Sequence, residues 1–205
     1  NMMAQTLLAI TGQVKCQGYG VANVVVTNGF DCVLTDASGK YTIPYHRDAR
    51  FVYVVTPAGY LPQRDCSLPL FYQRIIEGTF IYDFSLVKNP KNDDRHLFLV
   101  QADVQLGKGE DVAAYAEYLK DMREFINGHS EYDLFVLDCG DIVGNALSLF
   151  PSYKQTSDVL DVPMYRVIGN HDMEYGVRSY EHSYKSYEEN FGPIYYSFNR
   201  GKAHY

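Results

Sequence analysis

The sequence predicts two domains of different class: a small all-β sandwich over residues 1–88 and an α/β unit over residues 96–205, joined by a linker at 89–95. Three observations carry this. Residues up to about Lys88 form short alternating or valine-rich runs cut by Gly and Asn turns, the pattern of a sandwich. The stretch Asn89-Pro90-Lys91-Asn92-Asp93-Asp94-Arg95 is polar and broken by proline. Beyond it, apolar runs alternate with a helical period, which indicates a parallel sheet with crossover helices.

In the first domain the β pattern begins near Leu7. Gly12 to Cys16 alternates, Gln17-Gly18-Tyr19-Gly20 turns, and Val21 to Thr27 is rich in valine. Asn28-Gly29 is a strong turn dipeptide. Strands follow over Phe30–Thr35, Lys40–Pro44, Phe51–Pro57 and Thr79–Val87. The fragments Gly12-x-Val14, Val21-x-x-Val24-x-Val26 and Thr35-Asp36-x-x-Gly39-x-Tyr41 resemble the prealbumin-like and immunoglobulin-like modules found beside many bacterial enzymes. Such modules host many roles, so this resemblance implies a fold and no activity.

Composition narrows the function classes. An apolar fraction of 46% is enough for a buried core. The net charge of −7, with no basic run, argues against a protein that binds nucleic acid through a basic patch. It leaves a phosphorylated substrate open, because metal ions can supply positive charge locally. No apolar run approaches the ~20 residues of a membrane span. Tyrosine is abundant at 19 and tryptophan absent, which fits either a contact surface for sugar or protein or the packing of strands. The four cysteines match no zinc spacing. Cys16 and Cys32 lie in neighbouring strands and allow either a disulfide or two buried thiols, and Cys139 reads as a small buried hydrophobe. Asn1 before Met2-Met3 does not read as a natural start, so a leader removed earlier is compatible with the chain. A periplasmic or secreted location is expected in preference to a cytoplasmic one.

In the second domain, strands are expected over His96–Val100, Tyr132–Asp138 and Val162–Ile168. A helix is expected from Glu110 to about Asn127, with Val112, Tyr115, Tyr118, Leu119, Met122 and Phe125 on one side and Gly128 as its stop. Residues 145–160 read as partly helical with a break near Pro151, and 179–190 as helical. Tyr195–Phe198 and Ala203–Tyr205 read as a hairpin turning at Asn199-Arg200-Gly201.

The three strands end in chemistry. The first gives Gln101-Ala102-Asp103-Val104-Gln105, the second Gly140-Asp141-Ile142-Val143-Gly144-Asn145 and the third Gly169-Asn170-His171-Asp172. Right-handed crossovers bring the carboxyl ends of consecutive parallel strands to one edge of the sheet, so Asp103, Asp141, Asn170 and His171 are expected to converge. Glycines at 140 and 169 would let the chain turn sharply there. Oxygen donors with an imidazole suit first-row divalent or trivalent metals. Taken singly, Asp103 reads as a helix cap, Gly-Asp as a generic turn, and Gly-Asn-His-Asp as an Asx turn with a hydrogen-bonded histidine. All three in this order point to a metal-dependent hydrolase.

At these residues the chain resembles the calcineurin-like metallophosphoesterases, whose order is Asp-x-His, Gly-Asp-x-x and Gly-Asn-His-Asp or Glu. The resemblance covers residues 96–205, and the preceding module resembles the amino-terminal module of a bacterial branch of that family. It implies the first half of an α/β (αββα) catalytic domain and two metal ions such as Mn, Fe or Zn. Asp103 and Gln105 would serve the first metal, Asp141 would bridge both, and Asn170 would bind the second. His171 would act as acid or electrostatic stabiliser beside the leaving group, and Asp172 would hold its imidazole. Asn145 and His182 are candidates for the substrate pocket. A metal-bridging hydroxide would attack the phosphorus of a mono- or diester in line.

Two departures stand out. Gln105 occupies a position where a histidine ligand is usual, which would shift the site toward harder metals. The chain also carries no Gly-His-x-His, the pattern that completes both metal sites in the family. His46, His96, His129 and His204 read as structural or surface residues. The expectation is therefore the front portion of a phosphoesterase, weakly active or inactive alone. A competing reading is a non-catalytic module that binds a glycan or a protein through the β-sandwich and the tyrosine-rich segment 175–196, on a degenerate phosphoesterase scaffold. No Gly-x-Ser-x-Gly is present to suggest a serine hydrolase.

Overall fold

The computed structural model describes residues 8–205; Leu7 and the Asn1-Met2-Met3 start lie outside the described residues. The fold is mostly β-sheet with three α-helices among the described residues. The chain forms two compact units. One holds the residues up to Gln63, Leu70–Asn89 and Tyr196–Tyr205, and the other holds Arg64–Pro69 and Pro90–Tyr195.

The first unit is built on two sheets. The strands up to Lys88 are β1 (Ala9–Cys16), β2 (Tyr19–Gly20), β3 (Val25–Thr27), β4 (Cys32–Leu34), β5 (Lys40–Pro44), β6 (Phe51–Val55), β7 (Tyr60–Asp65), β8 (Leu68–Leu70), β9 (Tyr72–Arg74) and β10 (Phe84–Lys88), of which the end of β7 and most of β8 belong to the Arg64–Pro69 segment counted with the second unit. One sheet runs β2-β1-β10-β7-β8 with β5 also paired to β1, and the other runs β4-β3-β6-β9. Asn28 makes the β3–β4 turn by accepting the Phe30 and Asp31 amides on its side-chain oxygen, at 3.0 and 2.8 Å. Asp36 opens β5 in the same way, accepting the Ser38 and Lys40 amides at 2.8 and 2.9 Å. Strands β7, β8 and β9 were not expected: Pro62 in β7 and Pro69 in β8 speak against strands when only the sequence is read, and β9 is only three residues long. Cys16 and Cys32 sit in different sheets and all four cysteines are free thiols.

The second unit holds a parallel sheet of β11 (His96–Gln101), β12 (Asp133–Asp138) and β13 (Met164–Arg166), in that order. Its helices are α1 (Gly109–Gly128), α2 (Phe150–Ser157) and α3 (Lys185–Phe191). The register pairs Gln101 with Asp138 and Asp138 with Arg166, so the three strands finish level. Leu97, Leu99, Leu134, Val136 and Met164 pack with the α1 stripe Tyr115, Leu119, Met122 and Ile126 and with Phe150, Tyr153, Tyr187 and Phe191. That stripe follows an i, i+4, i+7, i+11 course. Tyr118 and Phe125, expected on it, are 46% and 41% exposed, and Phe125 stacks on His129 at 4.1 Å instead.

Other differences have simple causes. Helix α1 runs through Gly128 and is capped at His129. Pro151 lies in the first turn of α2, where a missing amide costs nothing, so it starts the helix rather than breaking it. Residues 179–190 hold a 3-10 turn at Tyr180–His182 before α3. The last hairpin, β14 (Asn199–Arg200) with β15 (Ala203–His204), is counted with the first unit rather than with residues 96–195, and the Asn199 amide bonds the Thr56 carbonyl at 2.9 Å. Cys139 lies one residue past β12 and is exposed, not buried.

The start of α1 carries one checkable contact. Asp111 Oδ2 accepts the Gly107 and Lys108 amides at 2.9 and 3.0 Å, satisfying donors that the helix itself cannot. Asp111→Ala is expected to lower the stability of this unit by about 1 kcal/mol in a denaturant titration.

Candidate active site

Three loops leave the level strand ends on one edge of the sheet and are tied by backbone hydrogen bonds. The Asp103 amide donates to the Gly140 carbonyl at 3.0 Å, Gln105 to Asp141 at 2.9 Å, and Leu106 to Ile142 at 3.2 Å. The chain turns sharply to make these contacts. Asp103, Gln105, Asp141 and Asn145 have φ of +56°, +49°, +52° and +67°. Left-handed backbone away from glycine costs roughly 1–3 kcal/mol per residue and gathers where side chains must be aimed. Asp and Asn tolerate it best, so Gln105 is the most strained of the four.

The glycines act in two different ways. Gly140 takes φ +90°, the turn that the sequence suggested. Gly169 has an ordinary φ of −102°. What it permits is contact: a Cβ there would stand 2.1 Å from Asp141 Oδ1 and 2.2 Å from the Asp141 amide nitrogen.

Around this turn the side chains gather. Gln105 Nε2 lies 3.4 Å from both Asp103 Oδ1 and Asp141 Oδ2, so an exposed and a half-buried carboxylate share one amide group. Asp141 Oδ1 accepts the His171 amide at 3.0 Å. The His171 ring meets Asn145 Oδ1 through Nδ1 at 3.0 Å. An amide oxygen only accepts, so Nδ1 carries the proton and Nε2 is the ring's remaining functional atom.

Asp172 does not hold the His171 ring. It is fully buried, with Oδ2 accepting the Gly169 and Ile142 amides at 2.8 and 3.2 Å and Oδ1 accepting the Val143 amide at 3.0 Å. It pins the second loop to the third, and Asn145 takes the place beside the imidazole. Burial pushes its carboxyl above the usual range, and the three amides pull against that shift. Asn170 is exposed, and its side chain makes no hydrogen bond among the described residues. His182 is also exposed and bonds Ser179 Oγ through Nδ1 at 2.5 Å, not a residue of the strand-end group.

Asp103, Asp141 and Gln105 would offer hard oxygen donors to a divalent cation only with the Gln105 amide, whose nitrogen faces both carboxylates, turned round. Among the described residues no three His, Cys, Asp or Glu side chains come together.

Beneath the loops lies a buried polar layer that the sequence reading missed. Asp138 Oδ2 accepts Gln101 Nε2 at 2.6 Å and the Tyr153 hydroxyl, and Asp138 Oδ1 accepts the Gly140 amide at 3.1 Å. Arg166 reaches Ser157 Oγ at 2.8 Å and Ser67 Oγ at 2.9 Å. The available signal was a polar residue at the last core-facing position of each apolar strand: Gln101, Asp138 and Arg166. Burial raises the Asp138 carboxyl above the ordinary value of 3.8, against the hydrogen bonds of Tyr153 and Gln101 and the charge of Arg166. The folded state thus holds this proton more tightly than the unfolded chain, and its contribution to stability falls as pH rises from about 4 through the raised value. Asp138→Asn removes the titration. The melting temperature of the native protein relative to this variant is expected to be most favourable near pH 3 and to decline toward pH 7; a constant difference would contradict the assignment.

Residues 8–89 match the family model described as the N terminal of Calcineurin-like phosphoesterase. These residues, less than half of the chain, are thus similar to the amino-terminal module of calcineurin-like phosphoesterases, and the match supports a metallophosphoesterase with such a module. No curated protein matches the chain. Among solved structures, a purple acid phosphatase from yellow lupin (Lupinus luteus) seeds is similar at 13% identity and a TM-score of 0.32, over 88% of this chain and 37% of that chain. At that degree the likeness fixes neither fold nor activity. No helix of the described residues is long and apolar enough to cross a membrane.

Proposed function

We propose that the protein to which this chain belongs hydrolyses phosphate esters, with the second unit supplying the amino-terminal part of an α/β (αββα) catalytic domain. The observation that carries the reading is the meeting of three strand ends on Asp103, Gln105 and Asp141, with His171 tied to Asp141 by its amide and to Asn145 by its ring. The family match of the preceding module supports it independently, and the two sheets of that module support an immunoglobulin- or prealbumin-like sandwich.

In this reading Asp103, Gln105 and Asp141 hold a hard cation. A cation held there would supply Lewis-acid neutralisation of a phosphoryl group. A two-cation centre needs further donors besides these and Asn170. Asp103 and Asp141 would act on the anionic phosphoryl end of the ester only through the cation they hold. Asn145 orients the His171 ring through its Nδ1–H; with Nε2 protonated as well, the imidazolium would pass that proton to the departing oxygen as water attacks phosphorus. His182 is not needed for this step.

The second reading, a binding module on a degenerate scaffold, is favoured by Tyr175 and Tyr180, which are 69% and 71% exposed and offer rings for stacking on a glycan or peptide. The two readings separate when the full-length protein is assayed with a phosphomonoester and a phosphodiester at neutral pH, with manganese added and its metal content measured. Turnover with bound metal supports the enzyme. Neither metal nor turnover with either ester removes the first reading.

A further inference from the structure

We infer that Asp138, held by Tyr153 and Gln101, is the positioning residue of the strand-end site: it sets the Gly140–Asp141 turn from below without touching a ligand. The inference rests on the phosphoesterase reading only in taking that group of residues as the reaction site.

The Asp138 side chain faces the core, on the same side of β12 as Leu134 and Val136, and is almost fully buried. A carboxylate there is costly unless its lone pairs are used. Both oxygens are used, and they face opposite ways. Oδ2 looks into the core, toward Gln101 on β11 and Tyr153 on α2. Oδ1 looks up the strand, to the Gly140 amide at 3.1 Å.

Gly140 is the residue through which the three loops meet. Its carbonyl accepts the Asp103 amide at 3.0 Å. Its α-carbon lies against the third loop, where an added Cβ would approach the Gly169 nitrogen to 2.7 Å. The next residue, Asp141, turns left-handed and presents Oδ1 to the His171 amide. Fixing the Gly140 amide therefore fixes the direction of Asp141 and, through it, the entry to His171.

The core side of the layer is braced by one short helix. Tyr153 and Ser157 are one turn apart on α2. Tyr153 holds Asp138 at the end of β12, and Ser157 holds Arg166 at the end of β13. The Arg166 guanidinium lies 5.4 Å from the centre of the Tyr153 ring. Tyr115 on α1 adds its hydroxyl to Gln101 Nε2 at 3.0 Å. All three strands and both crossover helices thus meet under Gly140, in polar contacts where a packed apolar layer would have been sufficient for stability alone. Such a layer has directional demands that apolar packing lacks.

The test reads amide hydrogen exchange in the native chain and in Tyr153→Phe and Asp138→Asn, with no substrate or metal. Tyr153→Phe keeps the buried ring and removes the hydroxyl that holds Asp138. Exchange at Gly140, Asp103 and His171 is expected to speed up by about tenfold, the scale of losing a hydrogen bond to a charged group, while Leu119 and Met122 in α1 change by less than about threefold. Asp138→Asn is expected to give the same local pattern, more strongly. A uniform rise across α1 and the loops in Tyr153→Phe means the layer only stabilises the fold, and no rise at Gly140 means Asp138 does not set the turn; either result overturns the inference. Should Asp138→Asn fail to fold, Tyr153→Phe decides alone. Because no turnover is read, failure here leaves the phosphoesterase reading standing, and an inactive protein leaves this result readable.

Discussion

Gly169→Ala is expected to destabilise the second unit by about 3 kcal/mol or more and to open the strand-end site. The cause is not torsional, since φ at Gly169 is −102° and any residue adopts it. The cause is distance. The added carbon would fall 2.1 Å from Asp141 Oδ1, 2.2 Å from its amide nitrogen and 2.8 Å from its α-carbon. Two of those atoms are backbone, and that backbone is held by the Gln105 amide on the Asp141 carbonyl. Relief therefore requires moving the second loop away from the third, which breaks the His171-to-Asp141 hydrogen bond. Calorimetry should show the transition of this unit lowered by about 2–4 °C for each kcal/mol lost. A native-like melting temperature would mean that the two loops are not in this contact.

Asp172→Ala is expected to cost about 3–5 kcal/mol, because it leaves the buried amides of Ile142, Val143 and Gly169 without their acceptor. Asp172→Asn keeps one accepting oxygen and places an amide group where the other stood, so its loss should be smaller than that of the alanine variant but still clear. Denaturant titrations of the two variants give the order directly. Equal stability of native protein and alanine variant would remove the role assigned to this carboxylate. The family resemblance implies Asp172 as the partner of the His171 imidazole, and its buried position makes it a tie between loops instead.

That reassignment marks how much of the site could be read from residues alone. The convergence of Asp103 and Asp141 follows from strand order and handedness, which periodicity reveals. The turning of individual side chains does not follow. Asn145 and Asp172 stand in adjacent motifs with similar hydrogen-bonding capacity, and only the left-handed backbone at Asn145 decides which of them meets the ring. The buried layer of Gln101, Asp138 and Arg166 was visible only as polar letters in apolar strands, an ambiguous mark until register places them level. Strands with alternating or valine-rich sequence were legible in the first unit, while β7 and β8 were hidden by Pro62 and Pro69 and β9 by its three-residue length. The place of the last hairpin with the first unit rests on long-range pairing with Thr56, which no local pattern encodes.

The central claim is that Asp141, at the meeting of three strand ends, serves the hydrolysis of a phosphate ester. The most direct measurement compares turnover of a phosphomonoester and a phosphodiester by the full-length protein and its Asp141→Asn variant, with folding of both verified by melting. The account predicts turnover by the native protein and a loss of at least about a hundredfold in the variant, since altering groups that merely support metal ligands already costs 10–100-fold. Native turnover that survives in Asp141→Asn would contradict it, as would a folded native protein that binds a glycan or peptide equally well in both forms and hydrolyses neither ester.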